Sequence, residues 1–107
     1  MNYRESLISC GIDAQTVDKF LDWHKANPDV WKAFESVTLD VINTGSKKWG
    51  AKAVVEVARW KLRIEKRQDY KINNSFVAYY ARIFALKYPQ HSDFFEFREV
   101  KGLEEAA

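Results

Sequence analysis

The sequence is poor in the residues that cross-link or interrupt small proteins. Its one cysteine, Cys10, excludes an internal disulfide and offers no thiolate cluster for a metal. Two prolines and four glycines leave little room for long linkers. No apolar run reaches the roughly 18 residues of a membrane span, and no signal-peptide segment precedes the first amphipathic pattern. These absences predict one folded domain in a reducing, cytoplasmic setting, without a membrane partner.

Helical periodicity dominates what is present. Helices are predicted over residues 3–10, 14–25, 28–43, 51–67 and 73–88. Capping residues support these bounds. Asp13 and Asn73 stand at helix starts, Asn27 precedes a proline at a first helical position, and Gly11 and Gly45 follow helix ends. Ile12 with Val17, and Ile72 with Val77, have the spacing of hydrophobic staples.

The last apolar stretch alternates rather than following a helical period. Residues 94–100 therefore predict a short strand, placed like the wing of a winged helix. The predicted fold is mainly α, a compact domain of about four to five helices with a short β element and a winged-helix-like arrangement. Its core is expected over about residues 13–100, and residues 101–107 are expected to fray.

Two apolar rows mark the segment 51–67 as a central helix contacted on two sides. One row is Val54, Val55, Ala58 and Leu62; the other is Ala53, Val57, Trp60 and Ile64. The remaining face carries Lys52, Glu56, Arg59, Arg63 and Arg67. Two interpretations of this charged face remain open: a solvated surface on which Glu56 pairs with its neighbours, or a row of phosphate contacts.

Charge is strongly segregated along the chain. Residues 47–89 hold eleven Lys and Arg against three acids, whereas residues 1–46 and 90–107 each have three more acids than bases. The basic centre also contains eight of the sixteen aromatic residues. Basic residues interleaved with aromatics are typical of nucleic-acid-binding surfaces, so this centre is the candidate site.

A helix-turn-helix interpretation assigns roles within this centre. The helix at 51–67 would be the supporting helix, and the helix at 73–88 would be the recognition helix, whose first residues contact bases. Phosphates would be held by Lys47, Lys48, Lys52, Arg59, Arg63, Arg67 and Lys71. Asn73, Asn74, Ser75, Tyr79 and Arg82 would lie near bases. Asn73 also has a purely structural interpretation as a helix cap, and Tyr80 is expected in the core, leaving Tyr79 for surface contact.

The sequence offers little for catalysis. It has no glycine-rich phosphate loop, no nucleophile in a known setting and no His/Cys metal spacing. His24 is expected to pack at the edge of an apolar face. Asp93 and Glu99 could chelate a metal in a small nuclease, but Glu96 between them would point to the opposite side of a strand. No enzyme activity and no cofactor are therefore predicted.

The segments WGAKAVVEVARWK, DYKINNSFVAYYARIFALKYP and FFEFREV resemble small uncharacterised proteins encoded by bacteriophages and prophages. The resemblance covers about residues 28–100, and Lys71 to Asn74 with Tyr79 to Arg82 is its most recognisable part. It implies a phage context rather than a mechanism. Small phage proteins are often DNA-binding regulators or inhibitors of host defence, including anti-CRISPR proteins.

Two functions follow as expectations. The first is a non-catalytic, regulatory nucleic-acid-binding protein, with DNA preferred to RNA as its target. The alternative is a protein-interaction module that inhibits a host defence or nucleic-acid-processing complex, its basic surface docking on an acidic patch. A homodimer is left open by both.

Overall fold

The computed structural model describes residues 3–67 and 72–95, apart from the side chain of Asn74. Five α-helices and one 3-10 turn follow one another within these described residues. They are α1 (Tyr3–Ser9), α2 (Ala14–Ala26), α3 (Pro28–Asn43), α4 (Ala51–Lys66), α5 (Asn74–Lys87) and the turn Pro89–His91. The mainly helical prediction is confirmed. No helix of the described residues is long and apolar enough to cross a membrane.

The helix ends have chemical causes that the sequence announces. The Asp13 carboxylate accepts hydrogen bonds from the backbone N–H groups of Gln15 and Thr16, at 3.0 and 3.3 Å. Asn73 Oδ1 accepts from the N–H of Ser75 at 2.8 Å. Gly11 and Gly45 adopt positive φ angles of 96° and 91°, which favour glycine after a helix. Asn27 departs from its prediction, because its side chain donates to the Trp23 carbonyl instead of capping α3.

Aromatic rings from four parts of the chain fill the centre. The Tyr80 ring of α5 is completely buried and lies 5.3 Å from the Phe20 and Trp31 rings, measured between centroids. Phe34 of α3 stacks on Tyr80 and on Phe95, both at 5.6 Å. Such pairs contribute about 0.5–1.5 kcal/mol each beyond their burial. They join α2, α3, α5 and the segment after the 3-10 turn.

The core begins earlier than the predicted residue 13. Leu7 of α1 is completely buried and Ile12 is nearly so, and both belong to the same cluster as Phe20 and Phe84. The first helix therefore closes one side of the core. The short amphipathic pattern of residues 3–10 predicted the helix but not its burial.

The predicted wing is not supported. Phe94 and Phe95 follow the 3-10 turn in a bend, and their side chains are buried in the helical core. Residues 96–100, the rest of the predicted strand, lie outside the described residues. No strand occurs within residues 3–67 and 72–95. Alternation failed here because the first two phenylalanines are adjacent, and both are drawn into one core rather than to opposite faces of a sheet.

Candidate interaction face on helix α4

Helix α4 packs on α3 through the first of its two apolar rows. Val54, Val55, Ala58 and Leu62 are all buried, as the periodicity predicted. The second row is exposed. Val57 is 43% accessible, Trp60 64% and Ile64 69%, and Ala53 is exposed as well. The expected second contact is therefore wrong for the described chain, since no element of residues 3–67 or 72–95 covers this row.

We call Ala53, Val57, Trp60 and Ile64 the apolar seam. Their spacing of four, three and four residues places them within about 60° of arc, since successive helical residues are about 100° apart. The seam extends along the helix for roughly 16 Å, at 1.5 Å per residue. Trp49, two residues before α4, is also exposed. A solvent-facing apolar line with this spacing is a continuous surface rather than scattered exposure.

A basic stripe lies next to the seam on the exposed side of α4: Lys52, Arg59 and Arg63 belong to the helix, and Arg67 follows directly after its last residue. All four residues are exposed. Glu56 lies within the stripe, and its Oε1 accepts from Arg59 Nη1 at 3.2 Å. Because both side chains are well exposed, this pair contributes little to stability. The Glu56–Arg59 pair matches the solvated-face interpretation, and the residues of the stripe are exposed.

Helix α4 ends at Lys66, so helical geometry determines the positions of Lys52, Arg59 and Arg63 but not that of Arg67. Arg67 ends α4 in the left-handed region, with φ of 53°, whereas the sequence pattern placed it inside the helix. Lys47 and Lys48 are exposed in the connection before α4. Lys71 lies outside the described residues. Among the described residues, the predicted phosphate contacts thus separate into one helical row, Lys52, Arg59 and Arg63, and three flanking positions, Lys47, Lys48 and Arg67.

The residues predicted to lie near bases differ in exposure, and the side chain of Asn74 lies outside what the structure describes. Asn73 is a helix cap, and Ser75 is exposed beside it with its N–H bound to that cap. The Tyr79 ring is half-buried and meets Phe20 of α2 edge-on at 5.3 Å. Burial raises the pKa of Tyr79. Tyr79 is therefore mostly a packing residue between α2 and α5, and the surface role predicted for it is weakened.

Arg82 lies at the junction of α5 and α1. Its Nη1 donates to Cys10 Sγ at 3.6 Å. Both residues line an open, largely apolar cleft of about 290 Å³, which Leu7, Ala85 and Leu86 also line. These contacts direct the Arg82 side chain towards α1.

His24 is half-buried at the edge of the aromatic core, as predicted. It stacks on Phe20, and its Nδ1 lies 3.1 Å from the Tyr80 hydroxyl. Burial lowers the pKa of His24 and raises that of Tyr80, so both groups are neutral near pH 7. The hydrogen bond between the Tyr80 hydroxyl and His24 Nδ1 gives the buried hydroxyl a partner, and the histidine tautomer sets which of the two groups donates.

The described residues contain no group of three His, Cys, Asp or Glu side chains that could hold a metal ion. Asp93 is exposed, and Glu99, its proposed partner, lies outside the described residues. No protein-family model matches the chain, and comparisons with curated proteins and with solved structures gave no significant match. Function therefore has to be inferred from this chain's own geometry.

The apolar seam is the feature that reasoning from the sequence missed. One signal was available: the two apolar rows together span about 220° of the helix, at 100° per residue. A packing stripe on one neighbour usually needs little more than 100°. An excess of this size indicates either a second neighbour in the fold or a partner outside it.

Proposed function

We propose that this protein is a non-catalytic interaction module that docks a partner protein on α4, through the apolar seam and the basic stripe. The observation that carries this proposal is the alignment of Val57, Trp60 and Ile64 on the solvent side of a helix whose other side is buried. Large apolar side chains in such a line are typical of a surface that another protein covers.

The composition of the face supports the same proposal. Trp and Arg are the residues most enriched among those that dominate binding energy at protein interfaces. Trp60 lies in the seam, and Arg59 and Arg63 lie beside it, so an apolar centre has a charged rim. Complete burial of a large apolar side chain such as that of Ile64 contributes about 1.5–3 kcal/mol relative to leaving it exposed. Trp60 and Ile64 are therefore the expected anchors.

The phage resemblance suggests a biological setting for such a module. A host defence or nucleic-acid-processing complex presents acidic and apolar surfaces to its own components, and a small basic protein can compete for them. Inhibition of such a complex is the role proposed here for the α4 face. It requires neither a catalytic group nor a cofactor.

The test is a pull-down from a nuclease-treated bacterial lysate with the tagged full-length protein. We expect a stoichiometric protein partner that is retained by the wild type and lost with the double variant Trp60→Ala/Ile64→Ala. A matched control, Lys19→Ala/Lys25→Ala on the exposed side of α2, should retain it. Circular dichroism verifies that each variant is folded. Equal retention by all three proteins, or no partner at all, contradicts the proposal.

Nucleic-acid binding is the second candidate, and a specific observation favours it. Lys52, Arg59 and Arg63 are exposed in a row, and Trp49 and Trp60 on the same segment could stack on bases. In this proposal α4 and α5 act as the supporting and reading helices of a helix-turn-helix. It accounts less well for Val57 and Ile64, which are aliphatic and cannot stack.

Salt dependence tests this second candidate directly. If the four cations of the stripe each contact a phosphate, log K should fall with log salt concentration with a slope of about −3 to −4 on duplex DNA. Fluorescence anisotropy with labelled duplex DNA, single-stranded DNA and single-stranded RNA measures it, and Arg59→Gln/Arg63→Gln should flatten the slope by about two. Binding that is insensitive to salt, or absent at low salt, contradicts it.

A further inference from the structure

The spacing of the apolar seam identifies the shape of its partner. Ala53, Val57, Trp60 and Ile64 recur at alternating intervals of four and three, which are the a and d positions of two heptads. This pattern matches a second helix laid alongside at a shallow angle, because the side chains of one helix then fit between those of the other. An exposed heptad seam therefore fits a helical segment better than it fits an extended strand or a flat surface.

The two edges of the seam differ in charge and in accessibility. In this register Glu56 and Arg63 lie directly beside the seam on one edge, and Lys52 and Arg59 lie one row further out on the same side. On the other edge, Lys61 is half-buried and its Nζ donates to Ser36 Oγ of α3 at 3.4 Å. That edge is already occupied by α3. A partner helix therefore meets a strongly basic edge on one side and the body of the protein on the other.

We propose that the α4 face binds an amphipathic helix of an acidic partner protein, with apolar residues at heptad spacing and carboxylates along the edge that meets Lys52, Arg59 and Arg63. This inference rests on the proposed function and names its partner class. Charge complementarity selects the acidic partner, since unlike charges along one edge fix orientation and exclude basic helices. The seam supplies the burial.

A second copy of this chain fits the face less well. A two-fold axis perpendicular to α4 pairs the helices antiparallel and brings each basic stripe against the other copy's stripe. Nucleic acid satisfies the stripe but leaves the aliphatic part of the seam, Val57 and Ile64, without a suitable contact. The test below separates a second copy from the acidic helix, and the salt-dependence measurement described above does the same for nucleic acid.

The test uses three synthetic peptides of about 21 residues, three heptads each, with leucine at every a and d position. The first carries glutamate at the flanking positions, the second carries lysine there, and the third is the glutamate peptide interrupted by two prolines. Binding to the full-length protein is followed by anisotropy of the labelled peptide. We expect the glutamate peptide to bind about tenfold or more tightly than the other two, because the charged edge and the helix are both needed.

Variants of the protein assign the binding to the α4 face. Arg59→Glu/Arg63→Glu should reverse the preference, so that the lysine peptide binds more tightly than the glutamate peptide. Trp60→Ala/Ile64→Ala should weaken binding of the glutamate peptide by about tenfold, since both anchors leave the seam. The control Lys19→Ala/Lys25→Ala should change neither. Together these results support an acidic helix on this face.

Three outcomes overturn the inference. Equal binding of the glutamate and lysine peptides removes the role of charge, and equal binding of the proline peptide removes the role of the helix. Dimerisation through Trp60 and Ile64 assigns the face to a second copy. If the peptides fail while the lysate partner still depends on the seam, the proposed function stands and only the partner class is wrong. If the seam-dependent lysate partner is also missing, the function itself is wrong.

Discussion

At the scale of single residues, the pair of His24 and Tyr80 shows how a polar group enters the aromatic core. The Tyr80 ring is completely buried, yet its hydroxyl lies 3.1 Å from His24 Nδ1. A protonated imidazole carries a proton on both ring nitrogens, so Nδ1 can then no longer accept a hydrogen bond from the Tyr80 hydroxyl. It would also place a charge in a partly desolvated site, which is the cause of the lowered pKa of His24.

His24 should therefore make folding sensitive to mild acid. Its pKa is lower in the folded than in the unfolded state, so the unfolded chain binds more protons, and stability falls as pH decreases. The loss should begin near the unfolded pKa of about 6.5. Urea unfolding between pH 5 and 8 measures it. The carboxylates with lowered pKa values, Asp13 and Asp18, lose their contribution only at more acidic pH.

Variants assign that acid sensitivity to its source. His24→Gln should flatten the dependence between pH 5 and 8 while His91→Gln should leave it in place. The assignment to His24 is wrong if the free energy of unfolding of the wild type is constant across this pH range, or if His24→Gln keeps the full pH dependence.

Asn73 is the residue at which a structural and a functional role can be separated. Its side chain caps α5 through the Ser75 N–H. Asn73→Ala should cost about 1 kcal/mol, the usual value of a lost cap. For a domain of this size that lowers the melting temperature by about 4–8 °C. Asn73→Asp should keep the cap, because a carboxylate accepts the same bond and suits a helix N-terminus.

Calorimetry of the two Asn73 variants measures this difference. A base-reading role would make Asn73→Asp lose nucleic-acid affinity although it keeps the cap, since aspartate cannot donate to a base as an amide does. Loss of nucleic-acid affinity in the stable Asn73→Asp variant would therefore restore the role near bases that the sequence suggested.

At the scale of the element, α4 shows that apolar residues at helical spacing need not be buried. Leu62 is 4% exposed and Ile64 is 69% exposed, although both belong to apolar rows of the same helix. Leu62→Ala should destabilise by about 2–5 kcal/mol because it leaves a cavity against the core. Ile64→Ala should change stability by at most about 0.5 kcal/mol, since it removes surface side chain and favours the helix. Chemical denaturation of the two variants compares them, and similar losses would mean that the seam is covered in solution.

The elements were predictable to different depths for physical reasons. Helix bounds and caps follow from local interactions, so Asp13, Gly45 and Asn73 could be read from their neighbours in the chain. Burial depends on what else is nearby, and periodicity alone cannot say whether a second apolar row has a neighbour. Trp60 and Ile64 were therefore expected inside the fold and lie outside it. The prediction for Phe94 and Phe95 was wrong in the opposite sense: they were assigned to a strand outside the helices, and their side chains are buried in the helical core.

The candidate site was predictable only in its basic half. Exposed cations need no tertiary partner, so Lys52, Arg59 and Arg63 lie where the sequence pattern put them. Tyr79 and Arg82 depend on packing between helices, and contacts with Phe20 and Cys10 take them towards α2 and α1. The apolar half of the site could not be predicted, because the two apolar rows of α4 are alike in the sequence and differ only in burial.

At the scale of the whole molecule, charge is arranged to oppose self-association. Residues 47–89 have a large excess of bases in a chain whose net charge is only +2. When two α4 helices pair antiparallel, the cations beside one seam come close to those of the other copy and repel them. Salt at about 0.15 M screens charges effectively only beyond roughly 8 Å, so it does not remove a repulsion between closer groups. An uncovered seam on a monomer is therefore compatible with the charges around it.

Removing that repulsion should reveal the seam. We expect the wild type to be monomeric and the variant Lys52→Gln/Arg59→Gln/Arg63→Gln to dimerise, because the apolar contact then proceeds without like charges at its edge. The control variant Lys19→Gln/Lys25→Gln/Lys32→Gln changes the net charge equally but on α2 and α3, and should remain monomeric. Sedimentation equilibrium over a range of concentrations measures all three. If both variants dimerise, net charge rather than the edge of the seam controls association. A wild type that already dimerises through Trp60 and Ile64 would show that the seam is made for a second copy, and the acidic helix would lose its site.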